Sequence, residues 1–512
     1  MSARRPRPIE PEIALRDAGP ADERTLLVWA NDPEVRSGSF NTDPIDAETH
    51  ARWYRGKLDS ADTAFFIAEC DGRPIGYARV DRWSPDTGEI AASIDASERG
   101  RGLGTALISL AAEHGASQLG VRHIVARIKK DNRSSARAFE SAGFNRLAGD
   151  ADPVVLAWPD RVLIAHSRPF VGEAEAGAAA AVVISRALSC GAISTEVEAD
   201  WCKRTGAAAA ACVASGVGAL RLGLWSLGVG PGDEVLMPAY SCVALLNAAM
   251  VLGATPVLAD VIAGEWTLDA ADVASRITES TRAIIAVNLF GMPSRLAELR
   301  EFGIPVIEDC AHGIGGVTAA GPFGGGGDLS IGSFYATKLI AGGEGGILAA
   351  RDRAVVERAR AARDYGDQLP GPQKLNDKMT DVEAAIVREQ LRRLTQLLSM
   401  RAERAARYEQ LLLPLADAGL VELPADATGR IWYRYAVLLT SGSSVDVCDR
   451  MAARGVRVEQ PVWDLRSADC WGEGLSASAQ AFERIVSLPL YPDLSEREQE
   501  YVAESFRRVL GA

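Results

Sequence analysis

Apolar and polar positions along the chain follow two different alternations of helix and strand. The first part is rich in strands, and the dipeptide Asp71-Gly72 separates two of them. Asp-Gly readily adopts the positive φ angles of a tight hairpin turn, so these two strands are expected to pair. A helix of this part ends at Gly143, a suitable residue for a helix C-terminus. The pattern predicts, in chain order, a helix, three strands, a helix, a strand and a helix over residues 21–29, 64–70, 74–82, 89–95, 106–119, 123–128 and 134–142.

The second part alternates helices and strands more regularly. Strands that are separated by helices and glycine-rich turns are typical of a mostly parallel sheet with helices on both faces. In such sheets, ligands bind at the carboxyl ends of the strands. The expected helices and strands cover residues 218–227 and 243–252, and 234–238, 255–259, 283–288 and 305–308, respectively. A long charged helix over 385–411 follows, and a smaller α+β region completes the chain.

These patterns predict an α/β protein whose architecture changes once along the chain. A chain of 512 residues is long enough for several domains with separate cores. We expect a mixed-sheet domain, a linker, a large domain with a mostly parallel sheet and a small C-terminal domain at residues 1–160, 161–166, 167–390 and 391–512.

Composition excludes some classes of function. Charged residues make up 24% and apolar residues 47% of the chain, as in an ordinary globular protein. The formal net charge of −13 argues against a nucleic-acid partner, which normally requires a basic face. No apolar run is long enough for a membrane span or a signal peptide, so we expect no membrane association. The eight cysteines lack CxxC pairs and the five histidines lack HExxH spacing; we therefore expect a cytoplasmic protein with reduced thiols and no metal site.

The strongest chemical signal lies in the segments EDCAH at 308–312 and SFYATK at 333–338. Asp309 follows an apolar strand, and Lys338 precedes a glycine-rich stretch. Pyridoxal phosphate needs a lysine for its aldehyde carbon and a carboxylate for its pyridinium nitrogen, which keeps the ring an electron sink. Most lysines are solvated surface charges, but the combination with an acid at a strand end favours pyridoxal phosphate as the cofactor.

A second glycine-rich segment, RGRGLGT at 99–105, lies between a predicted strand and a predicted helix. Free backbone N–H groups at a helix N-terminus can cradle a pyrophosphate. The same glycines could instead form only a tight turn, so the segment by itself leaves both interpretations open.

Around this segment, residues 13–144 resemble the GNAT family of N-acetyltransferases, which bind acetyl-CoA through such a loop. The resemblance includes KDNRSS at 130–135 and AFESAGF at 138–144. The opening WANDPEVR at 29–36, followed by SFN at 39–41, is similar to the branch that acetylates amino groups on nucleotide-linked sugars. The resemblance implies an acetyltransferase fold for this part of the chain.

By this resemblance, N–H groups of the glycine loop hold the CoA pyrophosphate, and strand 89–95 aligns the pantetheine arm. The residues implied to bind acetyl-CoA are Arg101, Gly102, Leu103, Gly104, Thr105 and Asn132. Many relatives have a tyrosine in the final helix as general acid toward the leaving thiolate, and Phe139 stands at that position here. The acceptor amine must lose a proton before it attacks the thioester. Glu89 is the candidate base, directly or through a water; alternatively it is an exposed carboxylate at a strand end.

From about residue 168 to its end, the sequence resembles the DegT/DnrJ/EryC1/StrS family of sugar aminotransferases, which are fold-type I pyridoxal phosphate enzymes. The resemblance includes the two segments around Asp309 and Lys338. Further motifs are SGVGAL, GVGPGDEV, GATP, LFG, NDKMTDVEAA and LPLYP at 215–220, 228–235, 253–256, 289–291, 376–385 and 488–492. The implied fold has a central, mostly parallel sheet and a smaller C-terminal α+β domain.

The resemblance assigns roles around the cofactor ring. Lys338 forms the Schiff base and later moves the proton between Cα and C4′, and Asp309 pairs with the pyridine nitrogen. His312 lies near the ring hydroxyl, with a buried core histidine as the alternative. Some family members lack the lysine and perform dehydration, so Lys338 favours transamination.

The resemblance also assigns the phosphate site. Ser333 and the N–H groups of Gly216 and Val217 are implied to bind the phosphate. Asn376 matches a residue that relatives contribute to the phosphate site of the neighbouring subunit, which implies an obligate homodimer.

Three positions depart from the family pattern. Val217 replaces the usual threonine and removes a hydroxyl contact to the phosphate. Cys242 stands where an aromatic residue often stacks on the cofactor, and Lys378 stands where arginine is common. Tyr240 is the nearest aromatic that could substitute in stacking, with packing in the core as the alternative.

Two hypotheses of function follow. In the first, the C-terminal part transfers an amino group from L-glutamate to a nucleotide-linked keto-sugar, and the N-terminal part acetylates the new amine with acetyl-CoA. In the second, the aminotransferase acts on another ketone, such as a keto-cyclitol, while the N-terminal part modifies a separate amine or serves only as a binding module.

Overall fold

The computed structural model describes residues 13–147, 153–158, 164–365 and 375–512. Contacts within the chain define two compact units. The first unit comprises the chain to Ala165 together with Asp449–Arg457 and Ser495–Tyr501. The second unit comprises His166–Cys448, Val458–Leu494 and Val502–Ala512. The predicted boundary at residue 160 and the first half of the predicted linker lie outside the described residues.

The first unit is built on a seven-stranded sheet. Its strands are β1 (Ala14–Asp17), β2 (Thr63–Cys70), β3 (Arg73–Ser84), β4 (Thr87–Ile94), β5 (His123–Ile128), β6 (Asn145–Arg146) and β7 (Val154–Trp158). Its helices are α1 (Glu23–Ala30), α2 (Pro33–Gly38), α3 (Ala47–Leu58), α4 (Leu103–Leu119) and α5 (Arg133–Ser141). The strand order is β1-β2-β3-β4-β5-β7-β6, in which β4 and β5 run parallel and the other neighbours antiparallel. The predicted mixed sheet is confirmed.

Local chemistry explains how this sheet forms. Asp71 and Gly72 both have positive φ angles, of 51° and 72°, and join β2 to β3 as the hairpin pattern predicted. Helix α4 buries its apolar face on the sheet. A Cβ at Gly115 would lie 2.5 Å from Val80, so only glycine lets the helix approach β3 this closely. The N-terminus of α4 is thereby held directly beyond the end of β4.

The second unit contains a larger sheet and two small ones. The strands are β8 (Ala209–Val213), β9 (Glu234–Pro238), β10 (Thr255–Ala259), β11 (Thr281–Val287), β12 (Val306–Asp309), β13 (Val317–Thr318), β14 (Gly321–Pro322), β15 (Leu329–Ser333), β16 (Gly346–Ala350), β17 (Val421–Glu422), β18 (Tyr435–Leu439) and β19 (Ile485–Leu488). The large sheet has the order β10-β9-β11-β12-β15-β16-β8, and only β16 runs antiparallel to its neighbours. The predicted mostly parallel sheet is confirmed.

Helices cover this sheet and continue into the C-terminal region. They are α6 (Glu173–Ser185), α7 (Ala192–Thr205), α8 (Gly216–Ser226), α9 (Ala244–Met250), α10 (Ala270–Arg276), α11 (Leu296–Arg300), α12 (Arg353–Arg363), α13 (Asp381–Arg392), α14 (Leu394–Asp417), α15 (Ser444–Ala452), α16 (Ser476–Arg484) and α17 (Glu496–Leu510). None of the helices in the described part of the chain is long and apolar enough to cross a membrane.

The large sheet aligns three chain segments that carry polar residues. Strands β8, β12 and β15 run in the same direction and are buried along their whole length, so their apolar runs need two covered faces. β12 ends at Asp309 and β15 at Ser333, while Ser215 follows β8 closely. Their carboxyl ends therefore meet at one edge of the sheet, where a ligand is expected.

The predicted single helix over 385–411 is wrong. Helix α13 ends at Arg392 and α14 begins at Leu394, because Arg393 has φ −99° and ψ 6°, outside the helical range. The predicted domain border at residue 390 falls within α13, and the division into large and small domains stays a prediction. Strands β17, β18 and β19 form a separate three-stranded sheet beyond α14.

Candidate active sites

Lys338 lies just after β15, on a segment that a glycine-rich stretch holds by its backbone. The N–H of Phe334 donates to the carbonyl of Gly345, and the N–H of Ala336 donates to that of Gly343, at 2.9 and 3.0 Å. The N–H of Lys338 closes a turn onto the carbonyl of Tyr335 at 2.8 Å. The glycines that follow the lysine in the sequence thus fix its position beside the end of the sheet.

Asp309 is buried at the end of β12, with 4% of its surface exposed. Burial raises the pKa of this carboxyl to about 6, although the N–H of Ala311, at 2.8 Å from Oδ1, and the charge of Lys338 act in the opposite direction. A carboxyl that is desolvated in this way gains strongly from a cationic partner. Asp309 and Lys338 are electrostatically coupled, as a joint role at one cofactor requires.

His312 is buried between two aromatic rings. Its ring stacks on Tyr433, with 4.1 Å between centroids, and lies parallel to Phe290 at 6.2 Å. Burial lowers the pKa of His312 well below its ordinary value, and the charges of Lys338 and Arg434 lower it further, so the imidazole is neutral at pH 7. The N–H of Phe290 faces Nδ1 at 3.5 Å, which leaves the ring proton on Nε2.

Sequence reasoning missed Tyr433. The Nζ of Lys338 lies 5.1 Å from the centre of its ring, so Tyr433 contacts both the lysine and His312. It lies far along the chain from both, two residues before the start of β18. The only signal in the sequence is the aromatic cluster WYRY at 432–435, which resembles ordinary core packing.

Glu308 holds the end of β12 in place. This side chain is 1% exposed, and its Oε1 accepts from the amide of Asn288 at 3.0 Å. Its Oε2 accepts from the N–H groups of Gly326 and Gly327 at 3.0 and 3.3 Å. A buried carboxylate with three donors is satisfied, so Glu308 positions its neighbour Asp309 and is not a free acid.

The start of α8 forms a cradle next to Ser333. Ser215 caps the helix by accepting from the N–H of Gly218 at 3.0 Å. A Cβ at Gly216 would lie 2.8 Å from the Cβ of Ser333, so only glycine keeps the helix N-terminus beside this hydroxyl. Free N–H groups, the positive end of the helix dipole and a serine hydroxyl suit a phosphate. The residues present therefore fit pyridoxal phosphate at both its ring and its phosphate.

Two of the three departures from the family pattern, Val217 and Cys242, are exposed, whereas Tyr240, the candidate substitute in stacking, is buried. Val217 is 42% exposed at the first turn of α8, and Cys242 is exposed. Tyr240 is 1% exposed and packs edge-on against Phe482 with 4.9 Å between centroids. Burial raises the pKa of Tyr240 well above its ordinary value. The structure thus places Tyr240 in the core, which was the alternative to its predicted contact with the cofactor.

The segment around Asn376 lies beside the same helix start. Asn376 is exposed, and its neighbour Asp377 forms an ion pair with Arg221 of α8. The carbonyl of Asp377 accepts from the N–H of Ala214 at 2.7 Å. Lys378 pairs with Asp364 at 2.8 Å. Asn376 is therefore presented at the surface by a segment fixed to the phosphate cradle.

The glycine loop of the first unit has the backbone shape that sequence reasoning expected. Gly100 and Gly102 have φ angles of 77° and 80°, and no other atom lies within 4 Å of a Cβ built at either position. Gly102 caps α4, so the first N–H groups of the helix point toward the loop; that of Thr105 donates to the carbonyl of Gly102 at 3.1 Å, and those of Leu103 and Gly104 face the loop. Arg101 pairs with Glu98. The loop offers open space and unpaired N–H groups to an anion.

Strands β4 and β5 separate close to this loop. Their parallel pairing runs from Thr87 and His123 to Glu89 and Val125, although both strands continue beyond it. The unpaired backbone of the separated strands can bind an extended ligand. Glu89 lies at the point of separation, where its carboxylate binds Arg127 in a two-pronged pair at 2.6 and 3.2 Å. A base in this pair is available only after Arg127 moves.

The two remaining positions of the first unit have structural roles. Asn132 caps α5, accepting from the N–H of Ser135 at 3.1 Å. Phe139 is 4% exposed and packs edge-on against Phe144 at 5.0 Å. Within the described ranges, no group of three or more His, Cys, Asp or Glu side chains is placed to hold a metal ion.

Comparison with known proteins identifies a family for each of the two parts of the chain. The model of the DegT/DnrJ/EryC1/StrS aminotransferase family matches residues 169–507, and that of the acetyltransferase (GNAT) domain matches residues 12–145.

Three solved structures illustrate the fold of the second unit. The aminotransferase TlmJ from Streptoalloteichus hindustanus is 30% identical with a TM-score of 0.64, over 68% of this chain and 99% of that protein. DesV from S. venezuelae, solved with a ketimine intermediate, is 29% identical with a TM-score of 0.61, over 66% and 94%. PseC from Helicobacter pylori, an aminotransferase involved in the biosynthesis of pseudoaminic acid, has a TM-score of 0.63 over 68% and 99%, and at 20% identity it shows the fold alone. The chain is therefore an enzyme that belongs to the DegT/DnrJ/EryC1/StrS aminotransferase family and carries a GNAT acetyltransferase domain before it.

Proposed function

We propose that this chain is a bifunctional enzyme of amino-sugar formation. The second unit transfers an amino group from L-glutamate to a nucleotide-linked keto-sugar, with pyridoxal phosphate as cofactor. The first unit then transfers the acetyl group of acetyl-CoA to the new amine. The observation that carries the proposal is the meeting of Lys338, Asp309 and His312 at the carboxyl end of β12, in a member of an aminotransferase family.

In this proposal, Asp309, Lys338 and His312 each have a role at the cofactor that fits the local environment of the side chain. Bound pyridoxal phosphate supplies an aldehyde for the bond to an amine and a ring that accepts electrons when the Cα proton leaves. Asp309 keeps a positive charge on the ring nitrogen, and that charge in turn keeps the buried carboxylate ionised. Lys338 carries the proton on Nζ. Neutral His312 donates from Nε2 to the ring hydroxyl.

The phosphate is held mainly by backbone in this proposal. The N–H groups of Gly216 and Val217 at the start of α8 and the hydroxyl of Ser333 bind it. We also propose a homodimer in which Asn376 completes the phosphate site of the neighbouring subunit. The exposure of Asn376, on a segment held against α8, supports this arrangement.

In the first unit, the glycine loop binds the pyrophosphate of acetyl-CoA through N–H groups of Arg101 to Thr105. The separated strands β4 and β5 bind the pantetheine arm, with Asn132 beside it. Glu89 takes the proton of the acceptor amine after its ion pair with Arg127 has opened. The choice of an amino sugar as acceptor is supported by the resemblance of the opening segment 29–36 and by an amine-forming unit on the same chain. We place both reactions in the cytoplasm.

Mass spectrometry of a panel of nucleotide keto-sugars tests the whole proposal. Incubation with L-glutamate should convert one keto-sugar to an amino sugar, and acetyl-CoA should then convert the product to the N-acetyl form. Lys338→Ala should lose the first mass change but still acetylate the amino sugar when it is supplied.

Other results would contradict the proposal in recognisable ways. Amination of a keto-cyclitol but of no keto-sugar would support the aminotransferase on another ketone. Amination without any release of thiol from acetyl-CoA, with any amine, would reduce the first unit to a binding module. The pairing of Glu89 with Arg127 and the core position of Phe139 are the observations that favour this second outcome.

A further inference from the structure

The ion pair between Arg127 and Glu89 blocks the candidate base of the first unit. Nε and Nη2 of Arg127 lie 2.6 and 3.2 Å from the two carboxylate oxygens of Glu89. The two side chains are 49% and 26% exposed, so the pair is accessible to a ligand. An exposed ion pair contributes little to stability, and it opens readily when a stronger anion competes for the guanidinium.

Both side chains of this pair lie on the sheet face opposite α4. Ile90 of β4 and the residues Ala126 and Ile128 of β5 belong to the core that α4 covers. Side chains alternate between the two faces of a strand, so Glu89 and Arg127 point to the other face. Since β4 and β5 separate beyond Glu89, Arg127 borders the gap between them.

An exposed aromatic ring lies beside the ion pair. The guanidinium carbon of Arg127 is 5.9 Å from the ring centre of Phe40, and Phe40 is 58% exposed. An open aromatic face suits the stacking of a planar base or the apolar face of a sugar ring. A cation and an aromatic surface are thus combined next to the candidate base.

The segment that carries Phe40 is held by polar contacts to its backbone. The guanidinium of Arg36 donates to the carbonyl of Asn41 at 3.2 Å. Nζ of Lys129, which follows β5, donates to the carbonyl of Ser37 at 3.2 Å. These contacts fix the segment on both sides of Phe40, so its ring is a prepared surface beside β5.

Helix α2, which precedes this segment, is also tied to residues implied to bind acetyl-CoA. Arg99 of the glycine loop pairs with Asp32, which caps α2, at 2.8 Å and with Glu34 at 2.5 Å. A Cβ at Gly38 would lie 2.7 Å from Nδ2 of Asn132, so only glycine lets the end of α2 pass this closely. The aromatic ring and the acetyl-CoA loop therefore belong to one connected arrangement.

We propose, on the basis of the acetyltransferase function above, that Arg127 binds a phosphate of the nucleotide-linked amino sugar and thereby frees Glu89 for the acceptor amine. The guanidinium exchanges a carboxylate for a diphosphate, which carries more charge and accepts two parallel hydrogen bonds. No covalent bond changes in this exchange. An N–H bond of the acceptor ammonium then breaks, an O–H bond forms on Glu89, and the electron pair stays on nitrogen to attack the thioester.

This exchange makes Arg127 a residue that determines specificity. An amino sugar without phosphate leaves Glu89 paired and the base blocked. An amino sugar that carries a diphosphate opens the pair by its own binding, so the correct acceptor prepares the base that it needs.

Modification of arginine by phenylglyoxal tests the phosphate contact at a single residue. The full chain is supplied with CoA and pyridoxal phosphate to fill its other phosphate sites, and peptide mass spectrometry follows the modification. Saturating uridine diphosphate or inorganic pyrophosphate should slow the modification of Arg127 at least about fivefold, because the bound guanidinium is withheld from the reagent. Arg146 is the matched control, since its pair with Glu140 at 2.8 Å leaves it 47% exposed. Equal modification of Arg127 with and without both anions overturns the proposal.

The exchange also predicts competition between Glu89 and the anion. Glu89→Gln removes the charge that pairs with Arg127, so pyrophosphate should protect Arg127 at about threefold lower concentration. Glu140→Gln removes the carboxylate of the control pair and should leave this concentration unchanged. A protecting concentration that is the same in Glu89→Gln and in the unchanged chain shows that carboxylate and phosphate do not compete, and overturns the proposal.

Initial rates of acetylation separate this role from a structural one. The acceptor is the aminated product of the keto-sugar panel, used with its nucleotide and after mild acid has removed the nucleotide. Arg127→Gln should raise KM for the nucleotide-linked acceptor at least about tenfold, because a charge-assisted contact is lost. The same variant should raise kcat/KM for the free amino sugar, because Glu89 is no longer paired. Arg127→Lys keeps the charge and should retain part of the preference for the nucleotide-linked form.

The two acceptors give the outcome that decides. Arg146→Gln should leave both rates within about twofold, as expected for an exposed pair outside the site. An equal loss on both acceptors in Arg127→Gln would show a structural role and overturns the proposal. If the unchanged chain acetylates neither acceptor, the acetyltransferase function fails, while protection of Arg127 from phenylglyoxal still reports on phosphate binding.

Discussion

The lysine site and the glycine loop differ in what prepares them for chemistry. In the second unit, the site is prepared by side chains. Asp309 and His312 are buried, their pKa values are shifted, and the charge of Lys338 acts on both. In the first unit, the site is prepared by the backbone, through Gly102 at a positive φ and the N–H groups at the start of α4. A site made of side chains reveals itself in residue types, whereas a site made of backbone leaves only glycines in the sequence.

Among the variants that distinguish the two sites, Lys338→Ala is expected to change enzyme activity most. Loss of the nucleophile and proton carrier should lower transamination by at least about 1,000-fold, because Lys338 is the amine that is coupled to Asp309 at the edge of the sheet. Acetylation of a supplied amino sugar should stay within about twofold, since its site is built from backbone. Both rates are measured on the full chain, with the exposed Lys203→Ala as control. Transamination that survives in Lys338→Ala would contradict the assignment.

Asp309→Asn should change how stability depends on pH. The pKa of this carboxyl is about 6 in the folded protein against 3.8 in its ordinary state, so the folded state binds the proton more tightly. The resulting stabilisation is complete below about pH 3.8 and is lost as the pH rises through 6. In the cofactor-free protein, the free energy of unfolding of Asp309→Asn relative to the unchanged chain should therefore rise by roughly 2 to 3 kcal/mol between acidic and neutral pH.

Urea unfolding of the cofactor-free protein at about pH 4 and pH 7 measures this difference. Asp381→Asn is the control, because the pKa of Asp381 is shifted in the opposite direction from that of Asp309. Hydrogen bonds from Ser194, Ile193 and Gly191 outweigh burial and lower it. Its contribution is lost only when the pH falls below the ordinary range of an aspartate, so its difference should be constant over the same interval. A constant difference for Asp309→Asn as well would show that burial does not raise its pKa.

The two sites also show how far sequence reasoning reaches. Asp309 and Lys338 could be found because the cofactor demands a carboxyl and an amine, and because an apolar run predicts where a strand ends. The turn at Asp71-Gly72 could be found because few residues accept two positive φ angles in succession.

What could not be found depends on contacts between distant segments. Tyr433 reaches Lys338 only because Arg401 on α14 holds its backbone there. The partner of Glu89 is Arg127 on a neighbouring strand, and strand pairing is not encoded in local pattern. For Tyr240, the sequence left open whether it stacks on the cofactor or packs in the core. It packs in the core against Phe482, which lies far along the chain.

Gly102→Ala should have an intermediate effect, confined to the first unit. A Cβ at this position meets no atom within 4 Å, but the φ of 80° is unfavourable for alanine by about 1 to 2 kcal/mol. Affinity for acetyl-CoA should fall about tenfold, because the loop leaves the shape that presents its N–H groups. Calorimetric titration measures this affinity, and Gly56→Ala in α3, where space is also open, is the control. Equal loss in both variants would show that the shape of the loop does not matter.

Val217→Thr should have the smallest effect, and it tests whether the lysine site also depends on backbone. Val217 is 42% exposed at the first turn of α8, so a hydroxyl there replaces a methyl group without being buried. One added hydrogen bond to the phosphate contributes about 1 kcal/mol, so affinity for pyridoxal phosphate should rise about fivefold. Val217→Ala trims the side chain without adding a donor and should leave the affinity unchanged. Equal affinities in the threonine and alanine variants would mean that the N–H groups of α8 and Ser333 already hold the phosphate, and that the two sites of this chain bind phosphate groups by the same backbone device.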